Sequence, residues 1–244
     1  MVLIFPAYPF PNTFEGYYAT NNPFQTNGPK GFTESKMIGL RKLFVRTDLP
    51  GVGQGDYTAS IDESKKSVTI RTLPPPPGIN IPFPPRIYKT TTHLKCDCCE
   101  VGSITHQVSD GVLRLVITMT PINNQDQIPN DQEEAAEFTG PILLVHPDLL
   151  TEGLRMAYAY KQLQDGSAHV SLDMPGVPKG DFTAEIENGR VIVTGRAPAV
   201  SHDSNGRFYS AVAATISNPT GTNPLFTVEG GPENGVLRLN IRPG

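Results

Sequence analysis

Residues 45–61 read VRTDLPGVGQGDYTASI, and residues 170–186 read VSLDMPGVPKGDFTAEI. Ten of these seventeen positions are identical at an offset of 125. Further along, GVLRLVI (Gly111–Ile117) returns as GVLRLNI (Gly235–Ile241), six identities in seven at an offset of 124. Two matching blocks in the same order at nearly the same offset identify an internal duplication. The shared words centre on Asp48, Pro50 and Gly51 with Gly111 and Leu113 in the first copy. Asp173, Pro175 and Gly176 with Gly235 and Leu237 are their counterparts in the second.

Each copy has the period of a half-buried strand. Phe182, Ala184 and Ile186 alternate with Thr183, Glu185 and Glu187, which places the apolar set on one face. Asn188-Gly189 follows, a strong hairpin signal because both central residues of a type I′ turn need positive φ. Val191–Thr194 then reads as the return strand. In the distal block Leu237, Leu239 and Ile241 share one face, with Val236, Arg238 and Asn240 on the other; Leu113, Leu115 and Ile117 repeat this in the first copy. Many short strands divided by turns predict an all-β chain of antiparallel sandwiches.

The composition agrees. The 244 residues include 23 Gly and 24 Pro, and only 18% are charged, which argues against a mainly helical protein. A net charge of −4 and basic clusters no larger than Arg41-Lys42 and Lys65-Lys66 give no electrostatic footprint for nucleic acid. No apolar run approaches the roughly 20 residues of a membrane span. No Lys or Arg precedes Lys30, so no signal peptide is expected. Three cysteines and no glycosylation sequon fit an intracellular protein, cytoplasmic or nuclear.

The copies predict four regions: an arm over 1–33, a first domain over 34–120, a polar and acidic linker over 121–153, and a second domain over 154–244. The arm carries eight aromatics among five prolines without a period and reads as irregular. Leu73–Pro85 (LPPPPGINIPFPP) holds seven prolines and reads as a protruding loop. Asp131–Phe138 in the linker has the look of a short helix.

Asp-Leu-Pro-Gly-Val and Asp-Met-Pro-Gly-Val, each followed by Gly-Asp-Tyr/Phe and a strand and then a distal Gly-Val-Leu, resemble the α-crystallin domain of small heat-shock proteins, closest to the plant branch. The likeness covers roughly residues 34–120 and 154–242. It implies two tandem immunoglobulin-like sandwiches that bind proteins without ATP, as a chaperone-like factor or an assembly scaffold. It also implies an aromatic N-terminal arm for client contact, with Phe5, Tyr8, Phe10, Phe14, Tyr17 and Tyr18 as contact residues. Members usually carry a C-terminal Ile-x-Ile/Val tail; here Arg242-Pro243-Gly244 follows the last expected strand, so no tail is expected. Ile79-Asn80-Ile81 resembles that motif moved into the proline-rich loop, and two β-branched side chains at i and i+2 suit an apolar groove. The arginine-rich strand of the family is matched only by Gly206-Arg207-Phe208-Tyr209-Ser210 and Arg86-Ile87-Tyr88-Lys89. That difference puts the usual homodimer in question. Divergent tandem relatives in plants resemble scaffolds of nuclear DNA-methylation and methyl-reader complexes, which is the alternative role. Expected partners are non-native clients or dedicated subunits, self or other α-crystallin-domain chains among them, with no direct nucleic-acid or membrane contact.

Reactive chemistry is not expected. Gly51-Val-Gly53-Gln-Gly55 precedes a strand rather than a helix and reads as a turn, not a phosphate cradle. His93, Cys96, Cys98 and Cys99 have metal-binding side chains, but a strand divides them between its two faces and no second cysteine pair completes a tetrahedron. His202-Asp203-Ser204 holds the residue types of a hydrolase triad, yet a triad converges from separate elements. The expectation is a non-enzymatic protein with no cofactor and no metal.

Overall fold

The computed structural model describes residues 2–6, 22, 25–27, 33–74, 87–94, 97–122, 148–150, 157–217 and 226–243. Every regular element among them is a strand. In chain order these are β1 (Val2–Ile4), β2 (Gln25–Asn27), β3 (Thr33–Ile38), β4 (Lys42–Asp48), β5 (Tyr57–Ile61), β6 (Ser67–Thr72), β7 (Lys89–His93), β8 (Cys99–Ser109) and β9 (Val112–Pro121). Next come β10 (Asp148–Leu150), β11 (Tyr158–Gln162), β12 (Ala168–Asp173), β13 (Phe182–Glu187), β14 (Arg190–Ala197), β15 (Arg207–Ser217), β16 (Phe226–Glu233) and β17 (Val236–Pro243).

The strands form four antiparallel sheets. Two belong to the first half, in the orders β3-β4-β9-β8 and β10-β7-β6-β5. Two belong to the second, β11-β12-β17-β16 and β1-β15-β14-β13, with β2 also on β15. The duplicated words thus generate the same strand order twice. Each pair of sheets shares one apolar cluster. Val45, Leu115 and Ile117 from one sheet meet Val68 and Ile70 from the other in the first half. Val170, Leu172 and Leu239 meet Val191, Val193 and Tyr209 in the second.

The local signals hold where they can be read. Leu113, Leu115, Ile117, Leu237, Leu239 and Ile241 are all buried in the clusters. Asn188 and Gly189 have φ of 48° and 73°, as a type I′ turn requires. Asp110-Gly111 and Asn234-Gly235 repeat that pattern at the hairpins leading into β9 and β17.

Two features differ from the sequence reading. The alternation puts Val112 and Val236 on the polar faces, yet both are buried. For Val112 the reason is contact between halves, since its Cγ2 lies beside Gly176. The arm, expected to be irregular, supplies two strands: Val2–Ile4 pairs with Thr215–Ser217, and Gln25 and Asn27 pair with Tyr209 and Phe208. Leu3 enters the second cluster. The expected linker helix at 131–138 and the proline-rich loop from Pro75 onward lie outside the described residues.

Candidate functional site: the junction of the halves and an open strand edge

The turns that carry the repeated words meet each other. Within each half the turn after Asp-x-Pro is tied to its own hairpin, by Leu49 N–H to Gly111 O (2.8 Å) and Met174 N–H to Gly235 O (2.9 Å). Across the halves, Gly51 N–H donates to Asn234 O and Gly176 N–H to Asp110 O, each at 2.7 Å. Gly51 and Gly176 are duplicated positions, as are Asp110 and Asn234. The junction is therefore self-complementary, the arrangement of a two-fold interface built inside one chain. Tyr88 and Tyr209 brace the same turns, their hydroxyls donating to Pro50 O and Pro175 O at 2.8 Å each.

The strands before each half cross over. β2, which leads into the first half, pairs with β15 of the second; β10, which leads into the second, pairs with β7 of the first. Each half thus covers an edge that would otherwise offer unpaired backbone groups.

A charged cluster breaks the symmetry. Glu34, Arg46 and Arg114 lie in one row across β3, β4 and β9. Phe44 and Asp48 share the same face of β4, and Phe44, Arg46 and Asp48 are all buried. What covers them is the loop of the second half around residues 201–207. Arg114 grips Asp203 with Nε at 2.9 Å and Nη2 at 2.6 Å. Arg207 Nη1 reaches Asp48 Oδ2 at 2.5 Å, and Arg46 Nη1 reaches Asp48 Oδ1 at 2.7 Å. Ser204 N–H donates to Glu34, and the His202 ring meets Phe44 edge-on. Burial works against the Arg207 cation, but Asp48, Tyr209 and Glu34 hold its pKa above the usual value. The second half lacks this receptor, because Ala159 and Ser171 stand where the first half has Glu34 and Arg46. The pairing is thereby directional.

Asp110 at the junction is raised above the ordinary aspartate range, chiefly by burial, with Arg114 pulling the other way. The folded state then holds this proton more tightly than the unfolded chain does. The penalty is absent below the unfolded pKa and fully present above the folded one. Asp110→Asn, which installs the residue of the second copy, is expected to raise stability at pH 7, by well under ~1 kcal/mol after solvent screening, read as a small rise in the thermal midpoint. The gain shrinks as pH falls through the carboxylate range. Melts of both proteins at pH 7 and pH 4 check this, and an equal difference at both values contradicts it.

A second surface lies at the far edge of the first half. β8 pairs only with β9 among the described strands and is exposed at Gly102, Ser103 and residues 105–107. Ile104 packs partly on the cluster, and His106 Nδ1 shares a 2.8 Å hydrogen bond with Tyr57 of β5. Burial, the largest cause, raises the Tyr57 phenol, so it stays protonated. Ala59 of β5 also packs partly on the cluster, and Ile61 at the end of that strand is exposed. The corresponding edge of the second half is different. β16 carries Gly230, Gly231 and Pro232, and the Phe182 ring lies against Gly231.

The sequence-derived sites are distributed as follows. Phe5 stacks on Tyr160, ring centroids 3.9 Å apart, and packs on the second cluster. Tyr8, Phe10, Phe14, Tyr17, Tyr18, Ile79 and Ile81 lie outside the described residues. Asp48, Pro50, Gly51, Gly111, Pro175, Gly176 and Gly235 gather at the junction; Leu113 and Leu237 lie in the clusters. Asp173 pairs with Val236 next to the Asn234-Gly235 hairpin, and its carbonyl accepts from Asn22 Nδ2. His202, Asp203 and Ser204 each face a different partner in the first half. Cys98 and Cys99 hold their sulfurs 3.6 Å apart at the start of β8, and Cys96 is outside the described residues. Among the described residues no group of three or more His, Cys, Asp or Glu could hold a metal ion, and no helix is long and apolar enough to cross a membrane. The sequence reading gave no role to Gln54, Arg46, Arg114 and Arg207, although the first three lie inside the repeated blocks and Arg207 lies in the strand matched to the family's arginine-rich one.

A β-protein made of two copies that bury their shared motif against each other, with a strand edge left open, has the form of a protein-binding module. A family profile described as "Predicted plant small heat shock protein" matches residues 4–244. The chain belongs to this family of plant small heat-shock proteins. It is also 31% identical over 310 aligned residues to an Arabidopsis thaliana protein named "Putative 57 kDa heat shock protein". The alignment covers 88% of this chain and 57% of that relative, so the chain spans little more than half of its length. Members of the family are typically non-enzymatic chaperones, and the membership supports a chaperone-like role.

Proposed function

We propose that this chain is a non-enzymatic, chaperone-like binding protein made of two tandem immunoglobulin-like sandwiches, residues 34–120 and 154–244, with 1–33 as arm and 121–153 as linker. It takes extended segments of other proteins onto the β8 edge. The observation that carries this reading is the asymmetry of edges. The edges of β7 and β15 are covered by strands from the chain itself, and β16 is interrupted by Gly-Gly-Pro, whereas its counterpart β8 is long and exposed at Gly102, Ser103 and residues 105–107. Strand addition there gives affinity through backbone hydrogen bonds, and apolar side chains at i and i+2 of the segment pack beside Ile104 and Ala59. An accessible β8 edge equally suits a scaffold that holds a dedicated partner, including one in a nuclear complex.

Val108 N–H points away from β9, as its side-chain acceptor shows, and the antiparallel parity sends the N–H of His106 the same way. Proline at 106 therefore removes an outward donor without breaking the β8–β9 ladder. His106→Pro is expected to weaken binding of reduced, carboxymethylated α-lactalbumin about tenfold, while stability drops only by the lost Tyr57 contact, about 1 kcal/mol. Unchanged binding by a folded variant sinks the proposal.

A further inference from the structure

We infer that Gln54 is a built-in occupant of the β8 edge, which an incoming strand must displace; this rests on the strand-addition reading above. Gln54 Oε1 accepts the outward Val108 N–H at 3.0 Å, the position a partner's carbonyl takes in an added strand. Tyr57, three residues further along the same segment, holds His106 through its hydroxyl. One exposed amide thus fills the backbone site.

The comparison of the two copies shows that this is specific to the open edge. By register, Val108 opposite Leu113 corresponds to Pro232 opposite Leu237. Proline has no N–H, so the second half has nothing at this place to cap. The residue corresponding to Gln54 is Lys179, which has no acceptor. The acceptor and the donor occur together in the first half, and both are missing from the second.

The latch is weak by construction. Gln54 is exposed, and a single neutral hydrogen bond that competes with water holds little net free energy. It also stands on the loop whose Gly51 N–H bonds Asn234 across the junction, and Asn234 packs on Gly53. The loop's other end is thereby fixed while the Gln54 side chain swings away.

The test uses the intact chain and reduced, carboxymethylated α-lactalbumin as probe. In Gln54→Ala the Val108 amide is expected to exchange with deuterium about tenfold faster, and the probe to bind about three- to tenfold tighter. Gln54→Glu, which keeps the acceptor, and Lys179→Ala are expected to match the parent protein in both measurements. Unaltered Val108 exchange in Gln54→Ala overturns the latch. So does unaltered affinity in Gln54→Ala where His106→Pro still weakens binding, and the edge reading then survives. Binding untouched by His106→Pro removes both.

Discussion

Gly111→Ala is expected to destabilise the protein by about 2–5 kcal/mol, far more than the same change at Gly39. Both glycines have φ in the left-handed region, 68° and 59°, so both substitutions carry the conformational cost of about 1 kcal/mol. They differ in what the new methyl meets. At Gly39 nothing lies within 4 Å, whereas at Gly111 the Cβ falls 2.9 Å from the backbone carbon of Asn234 in the other half and closer still to its oxygen. Backbone on the facing turn does not yield as a side-chain tip does, so the two halves must separate locally. Gly235→Ala is expected to behave like Gly111→Ala, because its Cβ meets Pro175 Cα at 2.9 Å and presses on Asp110 O. Urea unfolding of the three variants measures the difference. Equal losses at Gly39 and Gly111 show that the junction contributes nothing to stability.

Asp48→Ala is expected to cost about 3–5 kcal/mol, the range for removing one partner of a buried ion pair. The Asp48 carboxylate lies between Arg46 and Arg207, and all three side chains are at most 3% exposed. Without it two guanidinium groups stay buried with a carboxylate fewer, and the penalty is desolvation rather than lost attraction alone. The wild-type cluster is not itself a large source of stability, since apolar replacements of a whole buried network are often neutral. Its worth lies in direction: it selects the first half's sheet face for the second half's loop. The exposed pair Arg242–Glu229, at 3.9 Å, is the contrast, and Arg242→Ala is expected to change stability by less than about 0.5 kcal/mol. Urea unfolding at low and moderate salt compares the two; a loss below about 1 kcal/mol for Asp48→Ala contradicts the argument.

How much of this was legible beforehand follows from the range of each interaction. Leu237, Leu239 and Ile241 declare a buried face because alternation is a property of a strand by itself. Asn188-Gly189 declares its turn because positive φ is a demand on two adjacent residues. The same holds for the duplication, which needs only comparison of the chain with itself. Arg46 is different. It sits on the face that alternation assigns to solvent, and only a loop 157 positions away, at Asp203, puts it in the interior. Val112 and Val236 were placed on a polar face for the same reason. Gln54 read as part of a turn, because its acceptor role depends on which side of β8 was left without a neighbour.

The amino-acid order alone determined that the protein is all-β, that one unit is written twice, and which side chains line each unit's interior, since all of these rest on contacts between near neighbours. Only the tertiary structure decided that the two units close on each other through their repeated turns, that β2 and β10 cross to the opposite half, and that β8 is left open while β16 is spoiled by Pro232. Those outcomes depend on surfaces more than 50 residues apart in the chain meeting in one register, and no local period encodes which surfaces will meet.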